Sequence, residues 1–163
     1  MKTFKMLIVE DKSDEVAKIK KYFFSYINSS IHLNYEVISE TASITKQGKQ
    51  LIDNYHPDFV LLDIELADDR LGGITLADYL QDKQAAFAFL TVSSEDKTVR
   101  DHVYNTKMPK KPLLLMPRKD LFPPLLGKLG FNNKEKIKEL EKRREMLMDT
   151  LSRKLNLFFA EKT

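Results

Sequence analysis

A chain of 163 residues, 42% apolar and 31% charged, has material for one domain with a real core and about thirty residues beyond it. The lack of cysteine excludes a disulfide framework and thiolate metal sites, and no apolar run reaches the roughly 18 residues of a membrane span. Met1-Lys2-Thr3-Phe4-Lys5 leads straight into a strand-length run without a signal-peptide core, so a cytoplasmic protein is expected.

In chain order, residues 4–10 read as a first strand, with Ser13 or Asp14 as the cap of a helix that follows. Val16, Ile19, Phe23, Tyr26 and Ile27 give that helix one buried stripe. Tyr35–Ile38 reads as a second strand, Ile44–Tyr55 as a polar helix, and His56-Pro57-Asp58 punctuates the approach to a third strand, Phe59–Asp63. A turn rich in Asp and Gly, 67–73, precedes helix Ile74–Gln81. Phe87–Thr91 is a fourth strand, Ser93–Tyr104 a fourth helix, and Pro112–Pro117 a fifth strand stopped by proline. A further helix begins near Asp120, with Pro123 and Pro124 in its first turn, and ends at Gly130. Five alternations of strand and helix predict an α/β fold, a doubly wound five-stranded parallel sheet covered on both faces.

Residues 1–131 make up this domain, and 132–163 are expected to form an extended C-terminal helix. The tail holds nine Lys/Arg against six Asp/Glu, which accounts for the whole net charge of +3. Such a mixed-sign run is a solvated helix surface and a weak nucleic-acid footprint. Ile137, Leu140, Arg144, Leu147, Leu151, Leu155 and Phe158 nevertheless line one stripe, interrupted by Arg144 in the manner of an imperfect coiled coil. Such a stripe packs on the domain or pairs with a second copy. Its length and charge favour pairing, hence a linker or homodimerisation segment.

Two apolar runs end on acid: Leu7-Ile8-Val9-Glu10-Asp11 and Phe59-Val60-Leu61-Leu62-Asp63. Continuous aliphatic runs suit strands buried on both faces, and the carboxyl ends of such strands form the rim where open α/β sheets bind ligands. Three acids gathered there repel one another unless a cation lies between them. Mg²⁺, a hard ion that prefers oxygen, meets that need. His32, His56 and His102 lie in separate segments without metal spacing and read as surface or loop residues.

With these strands placed, residues 4–130 resemble the receiver domain of bacterial two-component response regulators, a flavodoxin-like fold. The resemblance matches Glu10-Asp11 to the family's acidic pair, Asp63 to its phosphate-accepting aspartate, and Thr91 to the hydroxyl residue after the fourth strand. Asp63-Ile64-Glu65-Leu66 and Gly73-Ile74-Thr75-Leu76-Ala77 look most like regulators with a LytTR-type DNA-binding output. The resemblance implies Mg²⁺ held by Glu10, Asp11, Asp63 and the backbone carbonyl of Glu65, with Thr91 bonded to a phosphoryl oxygen after transfer. It also implies a histidine kinase or phosphotransfer protein as partner in a phosphorelay, with DNA contacted only through an absent or separate output domain. A signalling module rather than an enzyme is expected. A phosphatase of the haloacid dehalogenase kind would want a second Asp two places after Asp63, where this chain has Glu65.

The family pattern breaks at the fifth strand. Its Lys-Pro pair aligns with Met116-Pro117, and a thioether offers neither charge nor donor. Leu113 stands at the aromatic switch position and the bulky Val92 follows Thr91. Lys111-Pro112 is an alternative register, and Arg118 or Lys119 could reach back from the next loop. Two functions follow: a receiver phosphorylated on Asp63, or a degenerate receiver that binds proteins without phosphorylation.

Overall fold

The computed structural model describes residues 2–30, 35–92, 96–104, 108–121 and 134–160. Strands β1 (Lys2–Val9), β2 (Tyr35–Ala42), β3 (Phe59–Asp63), β4 (Ala86–Thr91) and β5 (Leu115–Pro117) form one sheet in the order β2-β1-β3-β4-β5. Every pairing is parallel, as the alternation of strands and helices predicts. Between them run α1 (Ser13–Ser30), α2 (Thr45–Tyr55), α3 (Gly72–Tyr79) and α4 (Asp96–Tyr104), followed by the short α5 (Arg118–Leu121) and the long α6 (Lys134–Ala160). Pro123, Pro124 and Gly130, expected to open and close a helix, lie outside the described residues, as do the boundary at 131 and His32.

The central strands are apolar on both sides because both sides are covered. Phe4, Met6, Ile8, Phe59, Leu61, Ala86, Ala88 and Leu90 share one core with α1, while Leu7, Val9, Val60, Leu62, Phe87 and Phe89 share another with α2, α3 and α4. Strand β2 is longer than expected, reaching Ala42 instead of Ile38. It pairs only with β1 and so lies at the sheet's edge, where Ser39, Glu40 and Thr41 need not be apolar. Strand β5 is shorter than the apolar run suggests, yet Leu113 N–H already donates to the Phe87 carbonyl at 2.8 Å.

Of the two fates open to the α6 stripe, packing on the domain is the one its C-terminal half takes. Met148, Leu151 and Leu155 of α6 are fully buried there with Phe4, Ile8, Ile19 and Phe23, and Leu147 and Phe158 pack against the same cluster. The C-terminal half of the stripe is therefore packed within the chain. The physical reason is that the α1 face presents Phe4, Ile8, Phe59 and Leu61, and the apolar side chains of α6 join the same buried cluster instead of facing water. Phe4 and Phe159 meet edge to face at 5.4 Å, and the Lys154 ammonium donates to the Leu113 carbonyl at 2.7 Å. Arg144 does not interrupt the packing, because its guanidinium lies 4.3 Å from the centre of the Tyr22 ring. Among the described residues no helix is long and apolar enough to cross a membrane.

Candidate phosphoacceptor site

Three chain segments set the site at the carboxyl edge of the sheet. Glu10 follows β1 directly, and its N–H donates to the Ala42 carbonyl at 2.9 Å, which pins it at the strand end. Asp63 closes β3 opposite Leu90 of β4. Glycine at 73 lets α3 start against this strand end: its N–H donates to the Ile64 carbonyl at 3.0 Å, and a Cβ there would stand 2.1 Å from the Asp63 carbonyl oxygen. Asp68 fixes the intervening loop to α2, accepting from the Thr45 N–H at 2.9 Å and its hydroxyl at 3.1 Å. Asp68 thus supplies the N-terminal cap that Ile44 cannot.

Glu10 and Asp63 are buried and Asp11 is exposed, and one carboxylate oxygen from each lies within 4.8 Å of the others. The structure thus brings together the three acids that the sequence singled out. Asp11 and Asp63, together with Glu15, Glu65 and Arg118, line a cavity of about 640 Å³. Thr91 is buried at the last position of β4, and its neighbour Val92 lines the cavity.

The cation at this site comes from the residue after Pro117. Arg118 opens α5 and sends its guanidinium into the acids: Nη2 lies 2.7 Å from Asp63 Oδ1 and also bonds Glu10 Oε2, while Nη1 bonds Glu15 Oε2. Of the two residues open to reach back, Arg118 does so. Met116 is fully buried beside Leu90, and the Lys111 ammonium donates to the Val103 carbonyl at the end of α4, so the Lys111-Pro112 register does not bring lysine here. Glu15 was not singled out from the sequence. The one signal for it was its place in the acidic first turn of α1.

Burial pushes the Glu10 carboxyl up to about 8, against the opposing pull of its hydrogen bond to Arg118. Burial raises Asp63 as well, again opposed by Arg118. Desolvation disfavours the Arg118 charge, but the hydrogen bonds it donates to Glu10 and Asp63 outweigh it and raise its pKa above the usual arginine value. A pH dependence follows for the metal-free protein. The unfolded chain releases the Glu10 proton near 4.5, whereas the folded chain holds it to about 8. Between those values the folded state binds more protons, so stability falls as pH rises across that window. Urea midpoints taken in chelator at pH 5 and pH 8 should show the fall, and Glu10→Gln should flatten it. An equal fall in that variant would assign the effect to other groups.

The donor set fits Mg²⁺, which takes carboxylate oxygens and keeps several waters, so the three acids suffice as its protein share. No family model matches the chain, and no curated protein matches it. Solved structures do. The chain is similar to the N-terminal domain of a response regulator/sensory box/GGDEF three-domain protein from Carboxydothermus hydrogenoformans, with 19% identity, TM-score 0.62, and coverage of 98% of this chain and 99% of that one. A response regulator receiver domain protein from Clostridium thermocellum gives 16% identity and TM-score 0.58 over 98% and 96% of the two chains. The receiver domain of NtrX from Brucella abortus gives 18% and 0.51 over 86% and 98%. With its five-stranded parallel sheet and two covering helical layers, the chain has the fold of response-regulator receiver domains.

Proposed function

We propose that this chain is a phosphoaspartate signalling domain that accepts a phosphoryl group on Asp63 from a histidine kinase or phosphotransfer protein. The observation that carries the reading is a buried Asp63 carboxylate at a strand end with Glu10 and Asp11 gathered around it. In the transfer, one carboxylate oxygen of Asp63 forms an O–P bond as the P–N bond of a phosphohistidine breaks, the leaving imidazole takes a proton from solvent, and the other oxygen is left for the metal. Glu10, Asp11, Asp63 and the Glu65 carbonyl would hold Mg²⁺, which when bound neutralises charge on the acids and on the incoming phosphoryl group. Thr91, adjacent in β4, would donate its hydroxyl to a phosphoryl oxygen after transfer.

The reading places the domain in the cytoplasm with its kinase and makes it a relay element rather than an enzyme. A homodimer through α6 remains part of it, resting on the first turns, where Ile137 and Leu140 are only partly buried. Incubation with Mg²⁺ and a small phosphodonor such as acetyl phosphate, followed by intact-mass and peptide mass spectrometry, is expected to give one phosphoryl adduct on Asp63. Asp63→Asn should give none. Absence of an adduct in the unaltered protein overturns the proposal.

A further inference from the structure

Arg118 holds ground that the proposed metal would need. Its side chain is 15% exposed, and its guanidinium spans three carboxylates from two strand ends and a helix: Asp63 at 2.7 Å, Glu10 and Glu15. Two of those three belong to the acid trio. A divalent ion seated on Asp63 and Glu10 would share their oxygens with a full positive charge, and like charges so close repel strongly in a partly buried site. Arginine cannot relieve this by losing its proton, since it stays charged throughout the accessible pH range. Its only way out is to move. The planar fork is rigid, so leaving Asp63 and Glu10 also pulls Nη1 away from Glu15.

We propose that Arg118 is a tethered counter-cation of the acid pocket and an intramolecular competitor of Mg²⁺: the ion binds only as the guanidinium is displaced from Asp63 and Glu10. Glu15, which lies outside the trio, holds the competitor in its resting place. Arg118 begins α5, and α5 packs against α6, so the displacement acts on the segment that joins the pocket to the C-terminal helix. The inference rests on the metal site of the preceding reading but not on phosphoryl transfer.

Calorimetric titration with Mg²⁺ alone tests it on the full chain. Arg118→Gln is expected to lower the Mg²⁺ dissociation constant at least about tenfold, because the ion no longer competes with charge-assisted hydrogen bonds. Glu15→Gln weakens the resting grip without altering the trio and should lower the constant by a smaller factor. It also keeps the test decisive should Arg118→Gln fail to fold. Unchanged or weaker Mg²⁺ binding in the folded variants overturns the inference, as does a failure of all three proteins to bind the ion. Phosphoryl transfer is not read in this titration. Tighter Mg²⁺ binding without an Asp63 adduct would therefore sustain the competition and sink the phosphoacceptor reading, and an adduct with unchanged Mg²⁺ affinity would do the reverse.

Discussion

Gly73→Ala is expected to destabilise the protein by about 3 kcal/mol or more and to disorganise the acid site with it. The added Cβ would stand 2.1 Å from the Asp63 carbonyl oxygen and 2.9 Å from the Ile64 Cα, both backbone atoms that no side-chain rotation can clear. Either α3 backs away, breaking the Gly73 N–H bond to Ile64, or the end of β3 shifts and takes the Asp63 carboxylate out of reach of Glu10 and Arg118. Gly48→Ala is the control. Its Cβ would meet Leu76 Cδ1 at 2.8 Å, the far end of a flexible side chain, while the helix interior gains by losing glycine. Urea unfolding of the two variants should therefore differ widely. A Gly73→Ala protein as stable as Gly48→Ala, with Mg²⁺ binding intact, would show that the close approach of α3 does not position Asp63.

The strand ends were legible in the sequence because buried parallel strands leave a run of aliphatic residues, and an acid closing such a run stands out. That argument located Glu10, Asp11 and Asp63 at one edge. The end of β2 is illegible for the converse reason, since its edge position permits the polar Ser39-Glu40-Thr41. The absence of a lysine at Met116 was visible, but its replacement was not decided. Arg118 and Lys119 stand side by side after Pro117, and only the start of α5 determines which of them points at Glu10, 108 residues away in sequence. Glu15 carries no distinguishing signal, because an acid in the first turn of a helix already has a local explanation in the helix dipole. The stripe on α6 was ambiguous by nature. An apolar face is equally suited to a sheet or to another helix, and the choice depends on whether the sheet has a bare face to offer.

That choice sets the second large effect. Removal of residues 134–163 is expected to abolish cooperative folding. Met148, Leu151 and Leu155 are fully buried, and burial of such side chains is worth about 1.5–3 kcal/mol each, so their loss alone approaches the 5–15 kcal/mol by which domains are stable. The loss is larger still, because Phe4 would also lose its ring contact with Phe159, and Leu147 and Phe158 their packing on the same cluster. Circular dichroism of the truncated chain should show no sharp thermal transition, with dye binding to the uncovered apolar face. A dimerisation segment docked on nothing of its own chain would behave otherwise, leaving a folded monomer with an ordinary transition. Paired substitutions separate the two roles that one helix can carry: Leu151→Ala should cost about 2–5 kcal/mol of stability at any protein concentration. Ile137→Lys with Leu140→Lys, at the less buried end, should leave stability nearly unchanged and alter only the mass found by light scattering, if two copies meet there. Equal and small effects from both changes would mean that α6 does not belong to the core.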